Sequence, residues 1–225
     1  MSGALSLALQ GVPFPSFELV PSAIVALNFR DTSSLVLDIT GTPSISSIKY
    51  ANNPSLSASA SPKNSQPTLT TINGQRAARF DGGDDHLEFA AQLTTIRTVW
   101  WVCTVRAPLD TYMDTWLGFR SVEGLYAETL NRLLNHSWGP HWNTTWYLNN
   151  VAVDPRNSTA PLNSPFVLAM QTISNASADY ISKDRGATDR GIALDLGEFQ
   201  ASSAVFTSTD MSAINKKMMS RWDIS

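Results

Sequence analysis

The feature that most limits the possible folds is a succession of short β-type runs that begins at residue 23. The runs are rich in Val, Ile, Thr and aromatic residues, and Gly, Asn, Asp and Pro separate them at intervals of about 8 to 20 residues. They include HLEF, TIRTVWWVCTV, PFVLAMQTIS and ADYISK. No long amphipathic helical pattern lies between them, so the sequence predicts one all-β sandwich domain and not alternating β-α-β units.

One of these runs, TIRTVWWVCTV (residues 95–105), is apolar on both faces. Alternation along a strand places the odd-numbered positions of residues 99–105 on one face, and Trp100 and Val102 on the other. Such a strand is expected to lie in the middle of a sheet that is covered on both sides. By contrast, NNPSLSASASPKNSQPTLT (residues 52–70) is polar and small, and it predicts a long surface loop.

The first 22 residues form a separate, extended N-terminal arm in this interpretation. Prolines at positions 13, 15 and 21 remove backbone donors, so the arm is neither a regular helix nor a central strand. Phe14, Phe17 and Leu19 nevertheless give it more apolar groups than a solvated tail needs. We expect the arm to lie either on its own domain, residues 23–225, or on a neighbouring subunit.

The clearest helical pattern is FTSTDMSAINKKMMSRW, at residues 206–222. Thr207 can cap a helix, and Asp210 stands three residues later, as a capping box requires. Apolar side chains then recur at three- to four-residue spacing, at Met211, Ile214, Met218 and Trp222. A short C-terminal helix over residues 207–222 is therefore predicted to pack against the sandwich.

Composition argues against two classes of partner. The formal net charge is −3, and the chain lacks the basic stripe that nucleic-acid binders carry. No segment approaches the roughly 18 consecutive apolar residues that cross a bilayer, and the N-terminus lacks the positive region of a signal peptide. We therefore expect no nucleic-acid partner and no membrane association. The single cysteine, Cys103, is interpreted as a small buried hydrophobic residue.

The segment NGQRAARFDGGDDHLEF (residues 73–89) resembles the N-G-x-x-a-x-x-F-D-G-x-d-D-x-L pattern of concanavalin A-like, laminin-G-like jelly-roll domains. The C-terminal region is similar to the ending of the same family, with Gly197-Glu198 on a strand, then a capped helix and Arg221-Trp222. The resemblance implies a jelly-roll sandwich of two antiparallel sheets. A layout that ends in an Arg-Trp helix is commonest among virion proteins of tailed phages and related bacterial proteins.

Within that segment, RAARFDGGDDHLEF concentrates acidic residues around a Gly-Gly pair. As a structural element it predicts two strands joined by a hairpin turn, with positive φ at the two glycines. Asp81 and Asp85 would accept hydrogen bonds from loop amides, and His86 would be exposed to solvent. The functional alternative is a Ca²⁺ site at Asp81, Asp84 and Asp85, since laminin-G-like domains can bind calcium near such loops.

The sequence lacks the patterns of a catalytic site. Glycosidases of concanavalin A-like fold place two carboxylates on one strand face in a Glu-x-Asp-x-Glu run, which does not occur here. Asp195 and Glu198, like Glu123 and Glu128, have odd spacing, so a strand without a bulge places each pair on opposite faces. Serine-hydrolase, P-loop and Cys-His metal patterns are also absent. We therefore predict that the chain is not an enzyme.

A last segment, LLNHSWGPHWNTTWYLNN (residues 133–150), is rich in aromatic side chains. Flat rings stack on sugar faces while amide and imidazole groups bond the hydroxyls. A carbohydrate platform is therefore predicted at Trp138, His141, Trp142 and Asn143. Two other interpretations stay open: Trp146 and one other tryptophan pack in the core or under the loop, or exposed aromatics anchor a protein–protein interface.

Together, the resemblance and these features predict a non-enzymatic structural protein of a phage virion: a head decoration, fibre or tail-accessory subunit. Its arm would dock through Phe14, Phe17 and Leu19 on other virion proteins of the capsid or tail, and a homo-oligomer is expected. The jelly-roll domain would be displayed outward. The alternative is a carbohydrate-binding lectin module that recognises host-surface glycans. No cofactor is predicted, with Ca²⁺ as an option at the acidic segment.

Overall fold

The computed structural model describes residues 16–106, 114–119, 125–127, 133, 144–183 and 190–225. Most of them lie in β-strands, so the all-β prediction is confirmed. One α-helix, α1 (Ser208–Arg221), and two 3-10 helices, Thr32–Ser34 and Lys63–Ser65, occur in these residues. The strands are β1 (Ala23–Asn28), β2 (Leu35–Asp38), β3 (Ser44–Tyr50), β4 (Asn53–Ser59), β5 (Thr68–Ile72), β6 (Gln75–Asp81), β7 (Leu87–Val105), β8 (Asp114–Gly118), β9 (Leu125–Ala127), β10 (Thr144–Leu148), β11 (Val151–Val153), β12 (Phe166–Ile181) and β13 (Ala193–Ser202).

Six of these strands close on themselves through backbone pairing. The path runs from β13 through β6, β5, β3, β4 and β7 and returns to β13, which makes a closed barrel. Two of its junctions are single residue pairs, Ser44 with Thr68 and Ser59 with Glu88. Outside the ring, β1 pairs with β13, and β12 continues the sheet from β7 to β10 and β11. The sequence did not predict this closure, because single pairs between distant segments leave no periodic pattern.

β7 is the central strand that the two-sided apolar run predicts. It pairs with β12 and with β13. Val99, Trp101 and Cys103 belong to the main core, which fills the interior of the fold. Trp100 and Val102 belong to a second apolar cluster on the opposite face. All five side chains are fully buried, so the expected cover on both faces is confirmed.

The helix α1 covers this opposite face. The Thr207 hydroxyl accepts a hydrogen bond from the Asp210 amide at 3.2 Å, and the Asp210 carboxylate accepts one from the Thr207 amide at 3.4 Å. Met211, Met218 and Trp222 are buried in the second cluster. The predicted capping box and apolar helix face are therefore confirmed. None of the helices in the described part of the chain has the length and hydropathy to cross a bilayer.

The prediction of a surface loop over residues 52–70 is wrong. The segment contains β4 and the first part of β5. Ala58 and Ala60 in it are buried. Serine alternates with Leu56 and Ala58 over the last five residues of β4, so the period of a strand is present. The small Ser and Ala side chains, however, carry little of the β-branched and apolar signal by which strands are recognised.

In two places, two short strands that were predicted separately form one continuous strand in the structure. HLEF and TIRTVWWVCTV fall largely within β7, which has 19 residues. PFVLAMQTIS and ADYISK fall largely within β12, which has 16 residues. The register of β12 against β7 shifts three times between Gln171 and Tyr180. Such shifts interrupt the alternation of apolar residues, so the sequence suggests a break where the backbone continues.

Candidate functional site

The acidic loop, residues 81–86, is held together by its own carboxylates. Asp81 Oδ1 accepts a hydrogen bond from the Gly83 amide at 2.7 Å. Asp85 Oδ2 accepts one from the Asp81 amide at 3.0 Å. The prediction that Asp81 and Asp85 bond to loop amides is therefore confirmed, and the loop is braced from within.

Asp84 connects the acidic loop to a neighbouring segment. Its Oδ2 accepts hydrogen bonds from Asn64 Nδ2 at 3.0 Å and from Ser65 Oγ at 2.8 Å. One oxygen from each of the three aspartates lies within 4.8 Å of the others. Ca²⁺ needs about six to eight oxygen ligands, and three carboxylates of one loop supply only part of that number. The arrangement is that of a braced turn, and a Ca²⁺ site stays the alternative interpretation.

Burial and neighbouring charges oppose the ionisation of Asp85. The residue is 5% exposed. Burial, together with the negative charges of Asp81 and Asp84, raises the pKa of Asp85 to about 7. A carboxyl group that keeps its proton near neutrality reduces the repulsion among three close acids.

Two details of the predicted turn are wrong. β6 and β7 are not paired with each other, because β13 lies between them: Leu194 is opposite Phe80 on one side and Val105 on the other. Gly82 has a positive φ of 90°, but Gly83 does not. The acidic loop is thus a connection between non-adjacent strands and not a hairpin. Turn residues mark where a chain changes direction, but they do not specify which strands pair.

His86 is buried at 3% exposure, so the prediction of an exposed side chain is wrong. Its Nδ1 donates to the Asp84 carbonyl at 2.9 Å, and its Nε2 lies 3.3 Å from Lys183 Nζ, from which it accepts. The ring packs edge-on against Tyr180, with 6.0 Å between centroids. Burial lowers the pKa of His86, which favours the neutral ring. Tyr180 and Lys183 are distant from His86 in the chain, so the residue pattern near the loop could not predict that they contact its side chain.

β13 carries a buried carboxylate whose organising role was not predicted from the sequence. Glu198 is 1% exposed. Its Oε1 accepts hydrogen bonds from Arg221 Nη2 at 2.9 Å and Gln200 Nε2 at 2.7 Å, and its Oε2 accepts from Trp222 Nε1 at 2.9 Å. We call these four residues the Glu198 centre. A charge is tolerated in such a dry position because it is paired and hydrogen-bonded.

Gly197 allows Trp222 to lie directly on β13. A Cβ at this position would come within 2.4 Å of the Trp222 ring, so only glycine leaves room. The pairing of β13 with β7 also shifts register between Leu196 and Glu198. Because of this bulge, Leu196 and Phe199 both belong to the main core although they are three positions apart.

The bulge overturns the expectation that Asp195 and Glu198 lie on opposite faces. Both lie on the face away from the main core, since Leu194 and Leu196 beside Asp195, and Phe199 beside Glu198, belong to that core. Arg79 holds Asp195 through Nε at 2.8 Å and Nη2 at 2.9 Å, and Arg106 Nε lies 3.1 Å away. Each carboxylate therefore has its own cationic partner, unlike the acid and base of a glycosidase. The other candidate pair, Glu123 and Glu128, lies outside the described residues.

The last part of the arm, residues 16–22, lies against the Glu198 centre of its own domain, and we call it the anchored segment. Gln200 Oε1 accepts from the Val20 amide at 2.9 Å, and Gln200 Nε2 donates to the Glu18 carbonyl at 3.0 Å. The Arg221 guanidinium lies 5.4 Å from the centre of the Phe17 ring. Of the two interpretations of the arm, contact with its own domain is the one observed for this segment.

The predicted docking residues differ in exposure. Leu19 is 47% exposed, whereas Phe17 is half-buried. Phe14 lies outside the described residues. An open groove of about 460 Å³ runs between the anchored segment and α1, and Leu19, Ile214 and Lys217 contribute to its walls. Leu19 is therefore available to a partner at the edge of this groove.

The predicted carbohydrate platform falls outside the described residues: Trp138, His141, Trp142 and Asn143. Trp146 is fully buried in the main core, as the packing interpretation expects for it. Asn149 and Asn150 have positive φ, 45° and 72°, and they join β10 to β11. The chain therefore turns at these two asparagines.

A scan against models of known protein families matched none of them, and a search of curated proteins also found no match. The functional argument therefore depends on the geometry of the acidic loop, the Glu198 centre and the anchored segment. The resemblance of the sequence motifs adds to it.

Proposed function

We propose that the chain is a non-enzymatic structural protein of a tailed-phage virion, as a head decoration, fibre or tail-accessory subunit. Its arm docks on other proteins of the capsid or tail, and the domain is displayed outward. The observation that carries this proposal is the anchored segment. Its backbone is held at Gln200 while Leu19 is 47% exposed, which is the arrangement of an arm that presents an apolar side chain to a partner.

The way in which the motif residues meet supports the resemblance to virion proteins. Gly197 and Glu198 on β13 receive Trp222 at the end of α1. Asn73, from the Asn-Gly turn between β5 and β6, donates to the Trp222 carbonyl at 2.8 Å. Motifs that are distant in the sequence thus form one packed unit. A shared fold requires this, and a chance match does not.

We further propose that the barrel and its layers belong to a concanavalin A-like jelly roll of two antiparallel sheets. The pairings of β7 with β4, β12 and β13 are all antiparallel, which supports this fold. The main core on one face and the helix-covered cluster on the other also fit it. A crystal structure should show two sheets that face each other across the main core. A single barrel without a second sheet would contradict the jelly roll.

Docking is tested in the phage that encodes the chain. Deletion of residues 2–20 should remove the protein from purified particles, as measured by quantitative immunoblot. The deletion also removes Val20, which is buried in the domain. The double substitution Phe14→Ser/Leu19→Ser keeps Val20 and therefore tests docking in a folded protein. It should lower occupancy strongly. Val151→Ser, at a position that is 64% exposed on β11, is the matched control and should not change occupancy. Full occupancy of the arm variants would rule docking out.

A second proposal is that the chain binds carbohydrate through Trp138, His141, Trp142 and Asn143. These residues directly precede β10 in the sequence. β10 pairs with β11, which is the last strand in the order of paired strands. A glycan array with wild-type protein and Trp142→Ala tests this idea, with Val151→Ser as the control. Binding that Trp142→Ala abolishes and Val151→Ser keeps would support it. Wild-type signal at background for every sugar would contradict it.

A further inference from the structure

The surface that holds the anchored segment is a receptor for a short extended peptide. Gln200 uses both ends of its side-chain amide on the peptide backbone, at Val20 and at Glu18. Arg221 Nη1 donates to the Ser16 carbonyl at 3.4 Å. Most of this recognition is directed at backbone groups. We call the receiving surface the cradle, and it consists of Gln200, Lys217 and Arg221.

One ion pair adds a side-chain contact to the cradle. Lys217 Nζ lies 2.8 Å from Glu18 Oε2, and both groups are largely exposed. An exposed pair contributes little to stability, but it can fix the position of the peptide along the cradle. Every copy of the chain carries the same segment and the same cradle. The contacts of the cradle are therefore the same for its own segment and for that of a second copy, and only the covalent connection favours its own segment.

The anchored segment is held in its own cradle by few buried contacts. Residues 16–20 do not belong to a strand, and of these five only Val20 is buried. The groove of about 460 Å³ stays open between the segment and α1. Segments with few buried contacts open at a low free energy. The segment can therefore leave the cradle without the unfolding of the domain.

A hinge lies at the end of the anchored segment, directly before β1. Ser22 has a φ of 54°, a left-handed conformation that a residue other than glycine adopts at a cost. The hydroxyl of Ser202 donates to the Pro21 carbonyl at 2.7 Å, and the Ser203 amide donates to the Ser22 carbonyl at 3.2 Å. The chain is thus fixed at the hinge, while the part before it is weakly held. A strained hinge beside a detachable element favours exchange between copies.

We propose that copies of the chain exchange their anchored segments, so that residues 16–20 of one copy occupy the cradle of another. The inference rests on the proposed function and adds a second copy of this chain to the partners of the arm. The exchanged contacts are the same as those within one chain. Association therefore needs no new surface, and its main cost is the entropy of bringing two chains together.

Cross-linking between two single-cysteine variants tests the exchange. Glu18→Cys places a thiol on the segment, Lys217→Cys places one on the cradle, and the native Cys103 is buried. The two variants carry different affinity tags, and they are mixed and treated with a short bismaleimide. A product with both tags is expected, several-fold above the control and increasing with protein concentration. The control is Glu18→Cys mixed with wild-type protein that carries the other tag.

The double variant Glu18→Cys/Lys217→Cys shows whether the segment stays in the cradle of its own chain, because the two thiols then cross-link within that chain. Cross-linking within single chains, with no product that carries both tags, would overturn the exchange. Native mass spectrometry provides a readout that does not depend on the reagent. It should show an oligomer that Gln200→Ala reduces several-fold, whereas Gln92→Ala, a glutamine of β7 that bonds to Asp179, leaves it unchanged. A wild-type chain that is monomeric at every concentration would also overturn the proposal.

Failure of the exchange and failure of the proposed function give different results. A product with both tags, together with full virion occupancy of Phe14→Ser/Leu19→Ser, would contradict docking and support the exchange. Loss of occupancy without a product that carries both tags would contradict the exchange. In that case the arm docks on a different virion protein.

Discussion

The acidic loop and the Glu198 centre both bury carboxylates, and they neutralise them in different ways. In the acidic loop, three carboxylates have oxygens within 4.8 Å of one another, and the pKa of Asp85 is raised to about 7. In the Glu198 centre, one carboxylate accepts hydrogen bonds from a guanidinium, an indole and an amide. A proton reduces the repulsion in the first region, and a cation balances the charge in the second. The two regions should therefore respond differently to mutation and to pH.

This difference shows which kind of sequence signal points to an organising residue. The acidic loop attracts notice because its charges are dense, yet a loop can satisfy such groups with its own amides. Glu198, like Asp195, is a charge inside the otherwise apolar strand IALDLGEFQA, and a charge in such a strand needs a partner. Those two charges were the signal that could have predicted cationic partners here, Arg221 for Glu198 and Arg79 for Asp195.

The largest effect is expected from Arg221→Met, which leaves the Glu198 carboxylate buried without its cation. The free energy of unfolding should fall by about 3 to 5 kcal/mol, as measured by urea denaturation. Glu198→Gln/Arg221→Met should recover much of this loss, because a neutral amide can still accept from Trp222. A single variant as stable as the wild type would mean that the ion pair does not organise this region.

A pair of glycine substitutions compares the two regions directly. Gly197→Ala should destabilise the protein by about 2 to 3 kcal/mol, because the new Cβ meets the Trp222 ring at 2.4 Å. Gly83→Ala in the acidic loop is the matched control. Its Cβ would be 3.4 Å from the nearest atom, Asp81 Oδ1, so we expect a change within about 0.5 kcal/mol. Equal effects in thermal or urea unfolding would contradict the close approach of Trp222 to β13.

The acidic loop should make stability depend on pH. The folded state holds the Asp85 proton more tightly than the unfolded state, because its pKa rises from 3.8 to about 7 on folding. The contribution of Asp85 is therefore fully present below pH 3.8, decreases as the pH rises and is lost above about 7. We expect a decrease on the order of 2 kcal/mol, since a loop near the surface can relax towards water.

Asp85→Asn should remove this part of the pH dependence and make the protein more stable than the wild type at pH values above the folded pKa. Urea denaturation across the pH range measures it. Parallel pH profiles for the variant and the wild type would show that Asp85 ionises as easily in the folded state as in the unfolded state.

The smallest effect is expected from calcium. The melting temperature should be the same in EDTA and in millimolar Ca²⁺, because the carboxylates of the acidic loop already accept hydrogen bonds from protein groups. Differential scanning fluorimetry with both additives measures this. A rise in melting temperature with Ca²⁺ that Asp81→Asn abolishes would establish a cation site and change the interpretation of the loop.

Much of the fold was predictable from local patterns, and the exceptions have two causes. Alternation identified β7, and the cap and apolar spacing identified α1. The strand β4 was missed because its small Ser and Ala side chains carry a weak apolar signal, although Ala58 is fully buried. At the candidate site, the hydrogen bonds of Asp81 and Asp85 were predictable because their donors are within four positions. The burial of His86 was not, because Tyr180 and Lys183 come from another part of the chain.

By itself, the sequence determined the all-β class, the two-sided strand β7 and the capped helix α1. These elements follow from interactions between residues that are close along the chain. Only the tertiary structure decided that β13 separates β6 from β7, that Asp195 shares a face with Glu198, and that the arm meets Gln200. Such arrangements depend on partners that are distant in the chain. A one-residue bulge in β13 also reverses the faces of a strand without leaving a periodic signal.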